Sequence, residues 1–205
     1  MYGRGPTLDI ATIDGEPEVR PALDNARALS MVPTAWLPGG RVIGHLYGSP
    51  RGDVVTFRIG DSTVTPVVGS DAVENQGVVS PDGRWVAYCS NASGAREVYV
   101  RPFPGPGDAI AVSSSGGVEP RWSRDGAELY YRNGQDIMVV PVRTHPAFSG
   151  KPQRLFGGGY DFLQDDNWDV GPDGRFLMVK ADPNAGTQFL VVLNWLDELR
   201  SRFGR

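Results

Sequence analysis

Ser80-Pro81-Asp82-Gly83-Arg84-Trp85-Val86-Ala87-Tyr88 reads as a tight turn running into an apolar strand. The same plan returns at Ser123-Arg124-Asp125-Gly126-Ala127-Glu128-Leu129-Tyr130-Tyr131 and at Gly171-Pro172-Asp173-Gly174-Arg175-Phe176-Leu177-Met178-Val179. A weaker copy is Leu37-Pro38-Gly39-Gly40-Arg41-Val42-Ile43. Gly39 to Asp82 and Asp82 to Asp125 are each 43 positions, and Asp125 to Asp173 is 48. A period of that length marks stacked supersecondary units, each unable to bury its own apolar surface alone.

The turn chemistry explains why these residue types recur. Pro81 and Pro172 preset φ for the first central position of a type I turn. Asp82, Asp125 and Asp173 suit the second, and Gly83, Gly126 and Gly174 take the left-handed conformation that a following bulge needs. Ser80 can bond neighbouring backbone groups. The Asp-Gly pairs are therefore expected to be folding devices joining the first strand of each unit to the second.

Around each turn the strands run in a meander. The units cover about 32–68, 76–113, 119–156 and 167–193, with a half unit at 7–23 made of two strands joined by Asp14-Gly15. Their Val, Ile, Tyr, Phe and Leu residues fall on both parities, as in strands covered on both faces. The fold expected is an all-β propeller of four-stranded antiparallel blades. Three blades look whole and two partial, so about four blades' worth of strands stands in one domain. Either the hairpin at 7–23 completes the last blade and closes a small ring, or the chain is a fragment of a larger propeller; the latter is favoured, because the first repeat begins mid-blade. Residues 194–203 read as a short capping helix, with Asn194 at its N-cap and Trp195, Leu196, Leu199 and Phe203 on one side.

Composition agrees with a chain that turns often: Gly 27 and Pro 17 in 205 residues, 40% hydrophobic and 21% charged. Lys+Arg 20 against Asp+Glu 24 gives a net charge of -4, a poor match to nucleic acid, whose binding rests on neutralising phosphates. The single cysteine, Cys89, permits no internal disulfide and no Cys-rich zinc site, and it alternates with Trp85 and Ala87 as a buried hydrophobe would. No apolar run is long enough to span a membrane, and no secretory signal opens the chain. Membrane insertion by the chain itself is not expected, and its compartment is not legible.

Three further stretches carry a resemblance. They are Glu97-Val98-Tyr99-Val100-Arg101-Pro102-Phe103-Pro104-Gly105-Pro106-Gly107, Gly117-Val118-Glu119-Pro120-Arg121-Trp122-Ser123-Arg124-Asp125-Gly126, and Val191-Val192-Leu193-Asn194-Trp195-Leu196-Asp197-Glu198-Leu199. The turn repeat resembles the PD-type, TolB-like propeller repeat, a relative of WD-repeat blades. With these stretches it is similar to the C-terminal propeller of bacterial eukaryotic-like serine/threonine protein kinases. The resemblance covers roughly residues 70–203 well and 1–69 loosely. It implies a sensor or protein-interaction propeller, extracytoplasmic where it is joined to a membrane-anchored kinase. The kinase's own motifs do not occur: there is no Gly-rich loop with a Val-Ala-Ile-Lys strand, no His-Arg-Asp loop and no Asp-Phe-Gly. The alternatives are a stand-alone TolB-like periplasmic scaffold and a propeller separated from a serine peptidase or other hydrolase.

Other chemistries find little support in the residues. No Gly-x-Ser-x-Gly elbow occurs, and the histidines are His45, on a strand, and His145, beside Pro146. Gly157-Gly158-Gly159 opens no helix and so cradles no phosphate. Asp165-Asp166-Asn167-Trp168-Asp169 has the start of a calcium loop but Val170 where Gly is required and Phe176 where Glu is required. Arg51-Gly52-Asp53 is ordinary turn chemistry. No catalytic residue, metal or cofactor is expected. Aligning the repeats on the turn makes Gln76, Glu119 and Asn167 equivalent, and likewise Val78, Arg121 and Asp169. Lying on the first strand of each blade, these positions should approach the central channel. Gln76, Glu119, Arg121, Asn167 and Asp169 are thus the candidates for contact with a protein or small-ligand partner, whose identity the sequence leaves open.

Overall fold

A computed structural model describes residues 9–11, 19–21, 30–47, 52–61, 63–143, 148–160, 168–171 and 173–179. Strands β1 (Asp9–Ala11) and β2 (Val19–Pro21) pair antiparallel as blade 1. Blade 2 contains β3 (Ser30–Leu37), β4 (Arg41–Tyr47), β5 (Asp53–Arg58) and β6 (Thr65–Val68) in that spatial order. Blade 3 is β7 (Glu74–Val79), β8 (Trp85–Ser90), β9 (Glu97–Pro102) and β10 (Ile110–Ala111). Blade 4 is β11 (Val118–Trp122), β12 (Glu128–Asn133), β13 (Asp136–Pro141) and β14 (Gln153–Gly157). Blade 5 shows β15 (Trp168–Val170) paired with β16 (Phe176–Met178). Every sheet is an antiparallel meander, as the repeats predict. The third strand expected for the last unit and the helix expected over 194–203 lie outside the described residues.

The blades stack through their faces. Ile43 and Val54 of blade 2 meet Val86 and Tyr88 of blade 3. Ala87, Val98 and Val100 of blade 3 meet Leu129, Tyr131 and Val140 of blade 4. Tyr130, Ile137 and Val139 of blade 4 meet Trp168, with Phe176 packed against them, from blade 5. Successive residues of β8 and β12 thus point to opposite neighbours, which is why these strands are apolar on both parities. Blade 3 comes so close to blade 2 at Gly77 that a Cβ there would run into the Val54 side chain.

Turn length differs between copies, and this changes which side chain faces which blade. In blades 3 and 4 the ladder reaches Ser80 and Ser123, each donating its N–H across the turn, to Trp85 O and Glu128 O. In blade 2 Leu37 pairs with Arg41, and in blade 5 the Gly171 N–H donates to Arg175 O. Those two loops are one residue shorter. An alignment on the period places Ile43 opposite Val86; the register instead places Val42 there, since Trp36 pairs with Val42 as Val79 pairs with Val86. Ile43 then corresponds to Ala87 and looks forward to the next blade. A shift of one residue exchanges the two faces of a strand.

Candidate functional site

The recurrent turns are closed on themselves. The Ser80 hydroxyl donates to Asp82 Oδ1 at 2.6 Å and accepts from the Trp85 N–H at 3.0 Å. Asp82 also accepts from the Arg84 N–H at 3.1 Å and from Arg84 Nε at 2.8 Å. Ser123 and Asp125 repeat the first pair at 2.7 Å, and the Ala127 and Glu128 N–H groups complete it. Asp173 accepts from the Arg175 N–H and from Arg175 Nε, with Gly171 standing where the others have serine. Gly83, Gly126 and Gly174 have φ of 71°, 71° and 78°, a region that disfavours side chains. Pro81 sits at the exposed head of its loop, and Pro172 lies outside the described residues.

At Asp82 partial burial pushes the carboxyl up, but the Ser80 hydroxyl and the Arg84 groups outweigh it and leave it below the usual range. The Ser123 hydroxyl lowers Asp125, and the Arg175 N–H lowers Asp173. These carboxylates are held ionised by their own loops.

The first-strand candidates are arranged between blades. Gln76 and Glu119 are both buried, and both have φ of 55°, a left-handed value rare for residues with a side chain. Each sits in a bulge that interrupts the pairing of its strand. Gln76 Oε1 accepts from the Glu119 N–H at 3.0 Å, and His45 Nδ1 accepts from the Gln76 N–H at 3.4 Å. A side chain of one blade thus caps the bulge of the next. Glu119 Oε2 lies 4.0 Å from Arg132 Nη1, both side chains being buried. Arg132 also donates to Gly134 O at 2.9 Å and to Tyr160 O at 3.2 Å.

Arg121 and Asp169, equivalent by the repeat, meet across blades 4 and 5 with Nε 3.9 Å from Oδ1. The Arg121 guanidinium also lies over the Trp168 ring at 5.8 Å. Asn167 lies outside the described residues, as do His145, Asp165 and Asp166.

Several groups had no sequence signal as part of this arrangement. Arg132 is the largest fully buried side chain described, and nothing in its strand distinguished it from a solvated arginine. Glu74 and Glu97 are also buried, accepting respectively from the Ser70 hydroxyl at 2.5 Å and from the Ser113 hydroxyl. Cys89 is buried, its thiol pushed up by that burial. Among the described residues no group of three or more His, Cys, Asp or Glu could hold a metal ion. No helix among them is long and apolar enough to cross a membrane.

A cleft of about 400 Å³ opens at the turn end, between blades 2 and 3. Ala35, Leu37 and Arg41 line it from blade 2, and Val79, Pro81 and Phe103 from blade 3. The Arg41 guanidinium lies over the Phe103 ring at 6.0 Å.

Among solved structures, the TolB protein from Agrobacterium tumefaciens superposes with a TM-score of 0.57 at 18% identity, over 83% of this chain and 68% of that one. The fold is that of a TolB-like β-propeller. TolB from Acinetobacter baumannii gives 0.51 at 15% identity, over 84% of this chain and 50% of that one. Prolyl oligopeptidase B from Galerina marginata gives 0.51 at 13% identity, over 86% of this chain and 27% of that one. The TolB-like propeller here thus spans half of the second chain and about a quarter of the third. No protein-family model matches the sequence, and no curated protein matches it.

Proposed function

We propose that this TolB-like propeller is a non-catalytic sensor or protein-interaction module, related to the C-terminal region of a bacterial serine/threonine protein kinase. The observation that carries the reading is the use made of the buried acids. Glu119 faces Arg132, Glu74 is bonded to Ser70 and Glu97 to Ser113. Carboxylates that could serve as acid, base or metal ligand are instead engaged in holding loops and blades. The kinase relationship is supported by the stretches at 97–107, 117–126 and 191–199. A stand-alone TolB-like scaffold is the second reading, favoured by the 68% of the Agrobacterium TolB chain that this one covers.

Two measurements test this. Purified chain incubated with ATP and a general protein substrate, or with peptidase substrates, is expected to leave both unchanged; turnover of either would overturn the reading. Sequencing the gene upstream of the Met1 codon decides between the two forms. A kinase domain with a membrane span after it supports the first, and a secretory signal alone supports the second.

A further inference from the structure

Blades 3 and 4 carry the same Ser-x-Asp-Gly turn, and the residue before it pairs in the same register, Val79 with Val86 and Trp122 with Leu129. Val79 and Trp122 therefore occupy one structural position, each facing the preceding blade. At the blade 3/4 interface the Trp122 indole fills that place. Its Nε1 donates to Val78 O of the preceding blade at 3.2 Å, and its ring meets Phe148 edge-on at 6.4 Å. At the blade 2/3 interface the residue is only valine, and the cleft of about 400 Å³ is found beside it.

Two of the surrounding walls correspond. Ala35 stands where blade 3 has Val78, since Ala35 pairs with Ile43 as Val78 pairs with Ala87. Phe103, from the loop after β9, lies over Arg41 at 6.0 Å. Phe148, from the loop after β13, lies 5.7 Å from Trp85, the residue that corresponds to Arg41. Among the described residues Arg41 makes no ion pair. The cleft thus offers a flat aromatic wall, a cation and a carbonyl placed as the one that accepts from an indole next door.

We propose that this cleft receives the indole of a tryptophan carried on an extended segment of a partner protein. The indole N–H points to the Ala35 carbonyl, and a carboxylate of the same segment lies against Arg41. The ring meets Phe103 edge-on, as Trp122 meets Phe148, and covers Val79. The proposal rests on the interaction-module reading and adds to it where a partner binds and by what chemistry.

The test uses the whole chain and N-acetyl-tryptophanamide as probe, with NMR read at the Val79 methyls and the Arg41 side chain. Saturable shifts at both are expected, with binding at least about fivefold weaker for the N1-methylated probe, which lacks the donor. Absence of shifts at Val79, or equal binding of the methylated probe, would overturn the assignment. Val79→Trp should fold, fill the cleft as Trp122 fills its own, and abolish probe binding. Should Val79→Trp not fold, Val79→Phe is read by the same loss, and retained binding in either variant counts against the cleft. A protein partner that binds wild type and Val79→Trp equally would overturn the cleft while leaving the interaction reading intact.

Discussion

Ser80 ties both ends of its loop together: its N–H meets Trp85 O, its carbonyl accepts from Gly83, and its hydroxyl bridges Asp82 and the Trp85 N–H. Ser80→Ala should cost about 1 kcal/mol, the usual worth of a buried hydroxyl's bonds, read as a lower denaturant midpoint at unchanged slope. The aspartates beside these serines give a pH signature. Asp125 is depressed below its ordinary value of 3.8 by the Ser123 hydroxyl, so its contribution is complete above that value. It is lost as pH falls through the depressed folded value, and Asp82 and Asp173 act in the same sense. The acid limb of a stability-against-pH curve should therefore steepen below about pH 4 and become shallower in Asp125→Asn. An unchanged limb would show that the loop does not hold the charge.

At the scale of strands and turns, most of the architecture was legible. The recurring Asp-Gly loops located the blade hairpins, and runs such as Val86 to Cys89 announced strands covered on both sides. The parity of β4 was not legible, because Pro38-Gly39-Gly40 looks like a copy of Pro81-Asp82-Gly83 yet spans a loop one residue shorter. The bulges at Gln76 and Glu119 were also hidden. A left-handed glutamine or glutamate has no residue-type signal of the kind glycine carries, and its reason lies in the neighbouring blade.

Two substitutions probe the face assignment. Ile43 and Leu177 occupy one structural position, yet Ile43 is fully buried while Leu177 is 74% exposed. Ile43→Ala should cost about 3 kcal/mol and Leu177→Ala less than about 0.5 kcal/mol, both by chemical denaturation. Equal costs would refute the register. Gly77→Ala should cost about 1–3 kcal/mol, since Val54 is enclosed and has no free end to move aside.

Across the whole chain, adjacent blades are joined by apolar faces and by a thinner set of polar links. The apolar part stems from composition and could be read in advance. The polar part could not, because the Gln76 side chain and the Glu119 N–H meet only once blades 3 and 4 are stacked. Arg132→Met should lower stability by about 3 kcal/mol, as removal of one member of a buried ionic pair does. A midpoint unchanged from wild type would show that the pair contributes nothing net.

The links between bulges have a direction. The Gln76 N–H seeks His45, and the Glu119 N–H seeks Gln76, so in both cases the acceptor belongs to the earlier blade. During synthesis that acceptor has already left the ribosome when the donor emerges. Each new blade can dock on a finished template, without waiting for any later blade. A chain stalled after blade 3 would therefore present Gln76 as a ready seat for blade 4.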